Sequence, residues 1–135
     1  MLNALHRAGA RVTYLGNAWG AERDAWIARS HIVLNMHFHR GRILEVVRIF
    51  YLLANGVFVV SETPDEEEEM HRFRGGMAFA DYGQLAHTCL RHLADAAGCA
   101  TVAARGREVA AACPQKSYLS PVLDAMLGDG LLLTD

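Results

Sequence analysis

Apolar positions along the chain fall into short continuous runs and longer stretches of helical spacing. Residues 31–37 (HIVLNMH) and 57–62 (VFVVSE) are runs of the first kind, dense in β-branched residues, the pattern of strands buried on both faces. Between them residues 42–55 are apolar almost throughout, except for Arg42, Glu45 and Arg48 at a spacing of three. That spacing predicts a helix buried on most sides with a single polar edge, ended by Gly56 in a left-handed C-cap. Residues 2–8 read as the end of a helix closed by Gly9, residues 11–16 (RVTYLG) as a first strand, and residues 20–30 as a short helix with Trp26 and Ile27 on its buried side. Thr63, Pro64 and Asp65 have the layout of a helix start, so the acidic run 65–69 reads as a solvated first turn facing the positive end of the helix dipole.

After Gly75 and Gly76, residues 77–80 (MAFA) make a short fourth strand. Asp81 and Gln84 resemble a capping box for a helix over 82–97, whose Leu85, Ala86, Cys89, Leu90 and Leu93 share one face. Two more helices, 100–113 and 117–127, are divided by Pro114. Strands alternating with helices at this spacing predict a mostly parallel sheet of about four strands, right-handed crossovers, a three-layer α/β fold and extra C-terminal helices. Ligands of such sheets sit beyond the carboxyl ends of the strands, here residues 35–42, 61–62 and 80–82.

Length and charge narrow the picture. A chain of 135 residues suits one domain, and a net charge of −2 with 52% apolar residues speaks against an extended nucleic-acid footprint. Cys89, Cys99 and Cys113 are odd in number and lack zinc-site spacing, the usage of reduced thiols in a cytoplasmic protein. The N-terminal residues lack the apolar core of a signal peptide, and the longest apolar run, 49–54, is too short for a membrane span.

The chemistry concentrates in one turn. His37, His39, Arg40 and Arg42 surround Gly41 at the start of the apolar helix, where free backbone N–H groups already favour anions, so the turn reads as a phosphate or diphosphate site. The plainer reading pairs Glu45 with Arg48 along the helix and leaves the histidines in a solvated loop. His37 and His39 lack a third ligand at a telling spacing, so no metal is expected, and no cofactor fingerprint of the G-x-G-x-x-G or P-loop type is present. A nucleophile elbow is also missing. Glu62 and Asp81 each follow a strand, where a carboxylate can hold a ribose or sugar hydroxyl or cap the next helix. Trp19, Trp26, Tyr82 and Tyr118 read as core or domain-edge aromatics.

In its order of features the chain resembles the C-terminal, donor-binding domain of GT-B glycosyltransferases, of the glycosyl transferases group 1 type. The resemblance rests on "HIVLNMHFHRGRILEVVRIFYLLANGVFVVSE", on "FADYGQL" (79–85) and on the "ARGREV" pattern within 103–109, and it spans roughly residues 11–127. It implies a Rossmann-like domain with a nucleotide-sugar donor at the carboxyl edge of the sheet. His37, His39, Arg40, Arg42 and Arg48 would lie at the diphosphate, with Glu45 or Glu62 at the ribose or sugar. Many members carry an acid in this helix after a phenylalanine; here Tyr51 holds that place, and Glu45 lies nearly two turns earlier. A complete GT-B enzyme has two such domains, so an N-terminal acceptor domain, or a second copy of the chain, is the expected partner. The alternative is a non-catalytic interaction or oligomerisation module on the same scaffold. A receiver-like reading lacks the clustered acids it needs after residues 11–16.

Overall fold

A computed structural model describes residues 1–38 and 41–128. The chain runs through α1 (Leu2–Arg7), α2 (Gly20–Ala28), β1 (Val33–Asn35), α3 (Val46–Ala54), β2 (Val59–Glu62), α4 (Glu67–Arg72) and β3 (Ala78–Ala80). A 3₁₀ turn (Tyr82–Gln84), α5 (Leu85–Leu93), α6 (Ala96–Ala112) and α7 (Gln115–Gly128) follow. The three described strands form one sheet in the order β1-β2-β3, parallel throughout. Asn35 lies opposite Ser61, and Ser61 opposite Phe79, in one row across the sheet.

Side chains alternate across a strand, and here the alternation divides two cores. Val57 and Val59 face a cluster with Ile49, Leu52 and Leu53 of α3, joined by Leu44, Phe73 and Met77. Phe58 and Val60 face the opposite cluster, with Leu5 of α1, Leu85 and Cys89 of α5, and Cys99 of α6. The apolar spacing of Ile49, Leu52 and Leu53 presents one stripe of α3 to the sheet, and all three are buried. Phe73 meets Phe50 edge-to-face at 5.2 Å between ring centroids. Helices therefore cover both faces of the sheet, the α/β arrangement that the sequence predicts.

The end of α3 is a Schellman motif. Gly56, at φ +70°, donates its N–H to Leu53 O at 2.9 Å, and Val57 donates to Leu52 O at 3.1 Å. Helix α6 then ties the two cores together, with Cys99, Val102 and Ala103 at one cluster and Val109 and Ala110 at the other. Its middle is seated on the turn before β3. A Cβ on Gly106 would stand 2.7 Å from Gly76 O and 2.9 Å from Leu53 Cδ2, so only glycine permits that approach.

Several sequence expectations need correction. Residues 11–16 form no strand, so the described sheet has three strands instead of about four; Ala10 and Val12 pack on the second core without a ladder partner. The β bias of that run was real, but a lone extended segment gains nothing from it without a neighbour. Helix α3 begins at Val46 rather than Arg42, because residues 42–45 form a loop in which Leu44 turns into the core and Arg42 takes φ +35°. Thr63 is not a helix cap: its N–H continues the sheet by donating to Ala80 O at 3.0 Å, and α4 starts later, at Glu67. Asp81 makes no side-chain cap bond, and the expected helix 82–97 is a 3₁₀ turn and α5, broken before Asp95 caps α6 through Gly98 N at 2.9 Å. Trp19, Tyr82 and Tyr118 are exposed, so of the two readings for these aromatics, core or domain edge, the core one does not hold. Among the described residues no helix is long and apolar enough to cross a membrane.

Candidate functional site

β1 ends on its first polar residue, Asn35, and the parallel register sets it beside Ser61, the first polar residue of β2. Asn35 and Ser61 are both fully buried, and Asn35 Nδ2 donates to Ser61 Oγ at 3.1 Å. The serine hydroxyl in turn donates to Glu62 O at 2.9 Å. Asn35 Oδ1 is buried and has no partner among the described residues. Exchanging the amide's oxygen and nitrogen would only move the vacancy to the nitrogen, since Ser61 can serve one of them. An unmet buried polar atom is costly, about 1–3 kcal/mol, and such atoms are uncommon in folded proteins.

His37, two residues beyond Asn35, is clasped to Glu62. Its backbone N–H donates to Glu62 Oε2 at 3.1 Å, and its ring Nε2 lies 3.2 Å from Glu62 O. A carbonyl only accepts, so this contact requires a proton on Nε2. Arg42 is clasped in the same manner to Asp65: the guanidinium forms an ion pair with the Asp65 carboxylate, and Asp65 N–H donates to Arg42 O at 3.3 Å. Arg42 is the one non-glycine residue at positive φ among the described residues. A backbone at positive φ held through both its side chain and its carbonyl is the kind of strain that collects at functional sites.

The remaining expected residues are placed less favourably. Arg48 lies 3.4 Å from Glu45, one turn along the helix, and both are about half exposed, the plainer of the two readings for that pair. Glu45 occupies the N-cap of α3 but makes no side-chain cap bond. His39 and Arg40 lie outside the described residues. The positive potential suggested by the turn is thus partly offset, since both described arginines carry acidic partners. A shallow hollow of about 290 Å³ opens where Met36 leaves β1, lined also by Met1, Leu2, Asn3 and Tyr82. Among the described residues no three His, Cys, Asp or Glu side chains are grouped as a metal site would need.

In the sequence, Asn35 and Ser61 fall in the expected ligand-facing segments without a role for either, and Asp65 was passed over as a site member. A signal did exist for the first two: "VLN" and "VVS" are apolar runs that both turn polar at the end of a strand. Tyr51, at the place of the acid expected in α3, donates instead to Asp24 Oδ1 of α2 at 2.6 Å, with the Arg23 guanidinium 4.5 Å above its ring. The Tyr51 hydroxyl and then Arg23 hold the Asp24 carboxyl below its usual range, so this cluster clasps α2 to α3.

The fold and this edge define an α/β protein with a polar cluster at the carboxyl end of a parallel sheet. No protein-family model, curated protein or solved structure matches the chain.

Proposed function

We propose that the chain is a Rossmann-like donor-binding domain of a glycosyl-transfer enzyme, which holds a nucleotide-diphosphate sugar at the carboxyl edge of its sheet. The observation that carries this reading is the convergence of Asn35, Ser61, His37 and Glu62 at that edge with a buried acceptor left unmet, and Arg42 stands at positive φ in the loop between β1 and α3. His37 and Arg42, with His39, Arg40 and Arg48, serve the diphosphate, and Glu62 or Glu45 serves ribose or sugar hydroxyls. Only Oε2 of Glu62 is engaged by a described hydrogen bond, which leaves its other oxygen for a hydroxyl. The chemical contribution is stabilisation of negative charge on the departing diphosphate by fixed positive groups, without a metal. The acceptor side would come from an N-terminal domain or a second copy of the chain, in the cytoplasm, where its three thiols stay reduced.

Because Arg42 is paired with Asp65, a diphosphate must displace that carboxylate. Ligand-observed NMR with UDP-, GDP-, ADP- and TDP-sugars is the test. One nucleotide class should bind saturably, Arg42→Ala should abolish binding, and Asp65→Asn should strengthen it. Silence of the folded protein across the panel, or a requirement for a divalent cation, would overturn the proposal.

A second reading, an interaction module, is favoured by α7. Tyr118, Leu119, Val122, Leu123 and Leu127 are all exposed along it. Concentration-dependent sedimentation, abolished by Leu119→Asp with Leu123→Asp, would support that reading.

A further inference from the structure

Helix α4 and the edge strand β3 border a hollow of about 400 Å³ lined by Glu67, Met70, His71, Arg74, Gly75 and Phe79. Gly75 stands at φ +76°, and a Cβ placed there would lie 3.7 Å from Arg105 Nη1, so α6 brings a second guanidinium to the mouth of the hollow. Arg23, Arg42, Arg48 and Arg72 all have acidic partners. Arg74 and Arg105 form no ion pair or side-chain hydrogen bond among the described residues. Two uncompensated guanidinium groups and the His71 ring thus meet at one concavity, against the single carboxylate of Glu67. Met70 and Phe79, both partly buried, supply its apolar surface.

We infer that this hollow is a second binding site, for a phosphomonoester that carries a flat apolar group. Guanidinium forks match phosphate oxygens in a two-pronged geometry, and a phosphate there meets donors that have no competing carboxylate of their own. The ring of the ligand lies against Phe79 and Met70, which favour aromatic contact through the ring face and the polarisable sulfur. The volume is within the range of small-molecule sites, about 300–1,000 Å³. The charged groups of the hollow, His71, Arg74 and Arg105, are not those of the carboxyl-edge reading, although Phe79 lies opposite Ser61 in the ladder.

Amide and arginine side-chain NMR of the full chain, titrated separately with phenyl phosphate, inorganic phosphate and phenol, tests the inference. Phenyl phosphate should give saturable shifts confined to residues 67–79 and Arg105. Binding should weaken about tenfold in Arg74→Ala and in Arg105→Ala, the loss expected for one charge-assisted hydrogen bond, and strengthen in Glu67→Gln. Both arginines are exposed, so unchanged shifts elsewhere confirm that the variants fold. Shifts centred on His37 and Arg42, or binding in both arginine variants as tight as in the parent chain, would overturn the site. Phenol or inorganic phosphate binding as tightly as phenyl phosphate would overturn the ligand class.

Discussion

Asn35 and Ser61 are the residues whose burial is hardest to explain by packing alone. With Ser61→Ala, the Asn35 side chain loses its one described hydrogen-bond partner, and stability should fall by about 1–3 kcal/mol. The double variant Asn35→Leu with Ser61→Ala removes both polar groups and should recover most of that loss in urea unfolding, while losing nucleotide-sugar binding. A second residue-scale expectation concerns His92, whose ring packs against Phe58 at 4.7 Å between centroids. Burial, and then the charge of Arg91, push its pKa below the ordinary 6.5, although Asp95 pulls the other way. The unfolded chain therefore takes up the proton more readily than the folded one. Stability is intact above pH 6.5 and declines as the pH falls below it. Urea midpoints at pH 7.5 and 5.5 should differ less in His92→Phe than in the parent chain. The thiols add a kinetic check: burial raises Cys89 and Cys99, so Cys113, which is less buried, should be alkylated first in the native protein.

At the scale of elements, the strongest periodicities were legible and the edges were not. The runs giving β1, β2 and α3 were visible because each is apolar beyond what a loop tolerates, and Gly56 marked the end of α3. The start of α3 was hidden because Leu44 looks helical by spacing, although it reaches the core from a loop. Residues 11–16 look like a strand locally, but strand formation depends on a neighbour, which no local pattern encodes. The candidate site was legible as a place, the carboxyl edge, and less so as a residue set. Charge in the turn drew attention to Arg42 and Arg48; the Glu45 partner of Arg48 was legible from its spacing, whereas the Asp65 partner of Arg42 became visible only with the fold. Helix α7 carries Pro121 in its interior and most of its surface is exposed. A proline there removes a backbone hydrogen bond. Deleting residues 115–128 should leave the urea midpoint of the remaining domain unchanged; a marked drop would show that α7 packs on the domain in solution.

For the whole molecule, the contact between Gly76 and Gly106 decides whether the two cores act as one. Gly106→Ala should cost about 1–3 kcal/mol through overpacking and lower the urea midpoint, since neither the Gly76 carbonyl nor Leu53 can retreat without moving the sheet or α3. If the cores are coupled only through α6, that variant should also broaden the unfolding transition, as the two faces begin to melt separately. The position of α6 also matters while the chain is being made. Fifty residues separate the end of β2 at Glu62 from the end of α6 at Ala112. At ordinary translation speeds they take about 3–10 s to add. For that interval the nascent chain presents both apolar faces of its sheet without their common clamp, which makes it a client for chaperones that shield such surfaces at the ribosome.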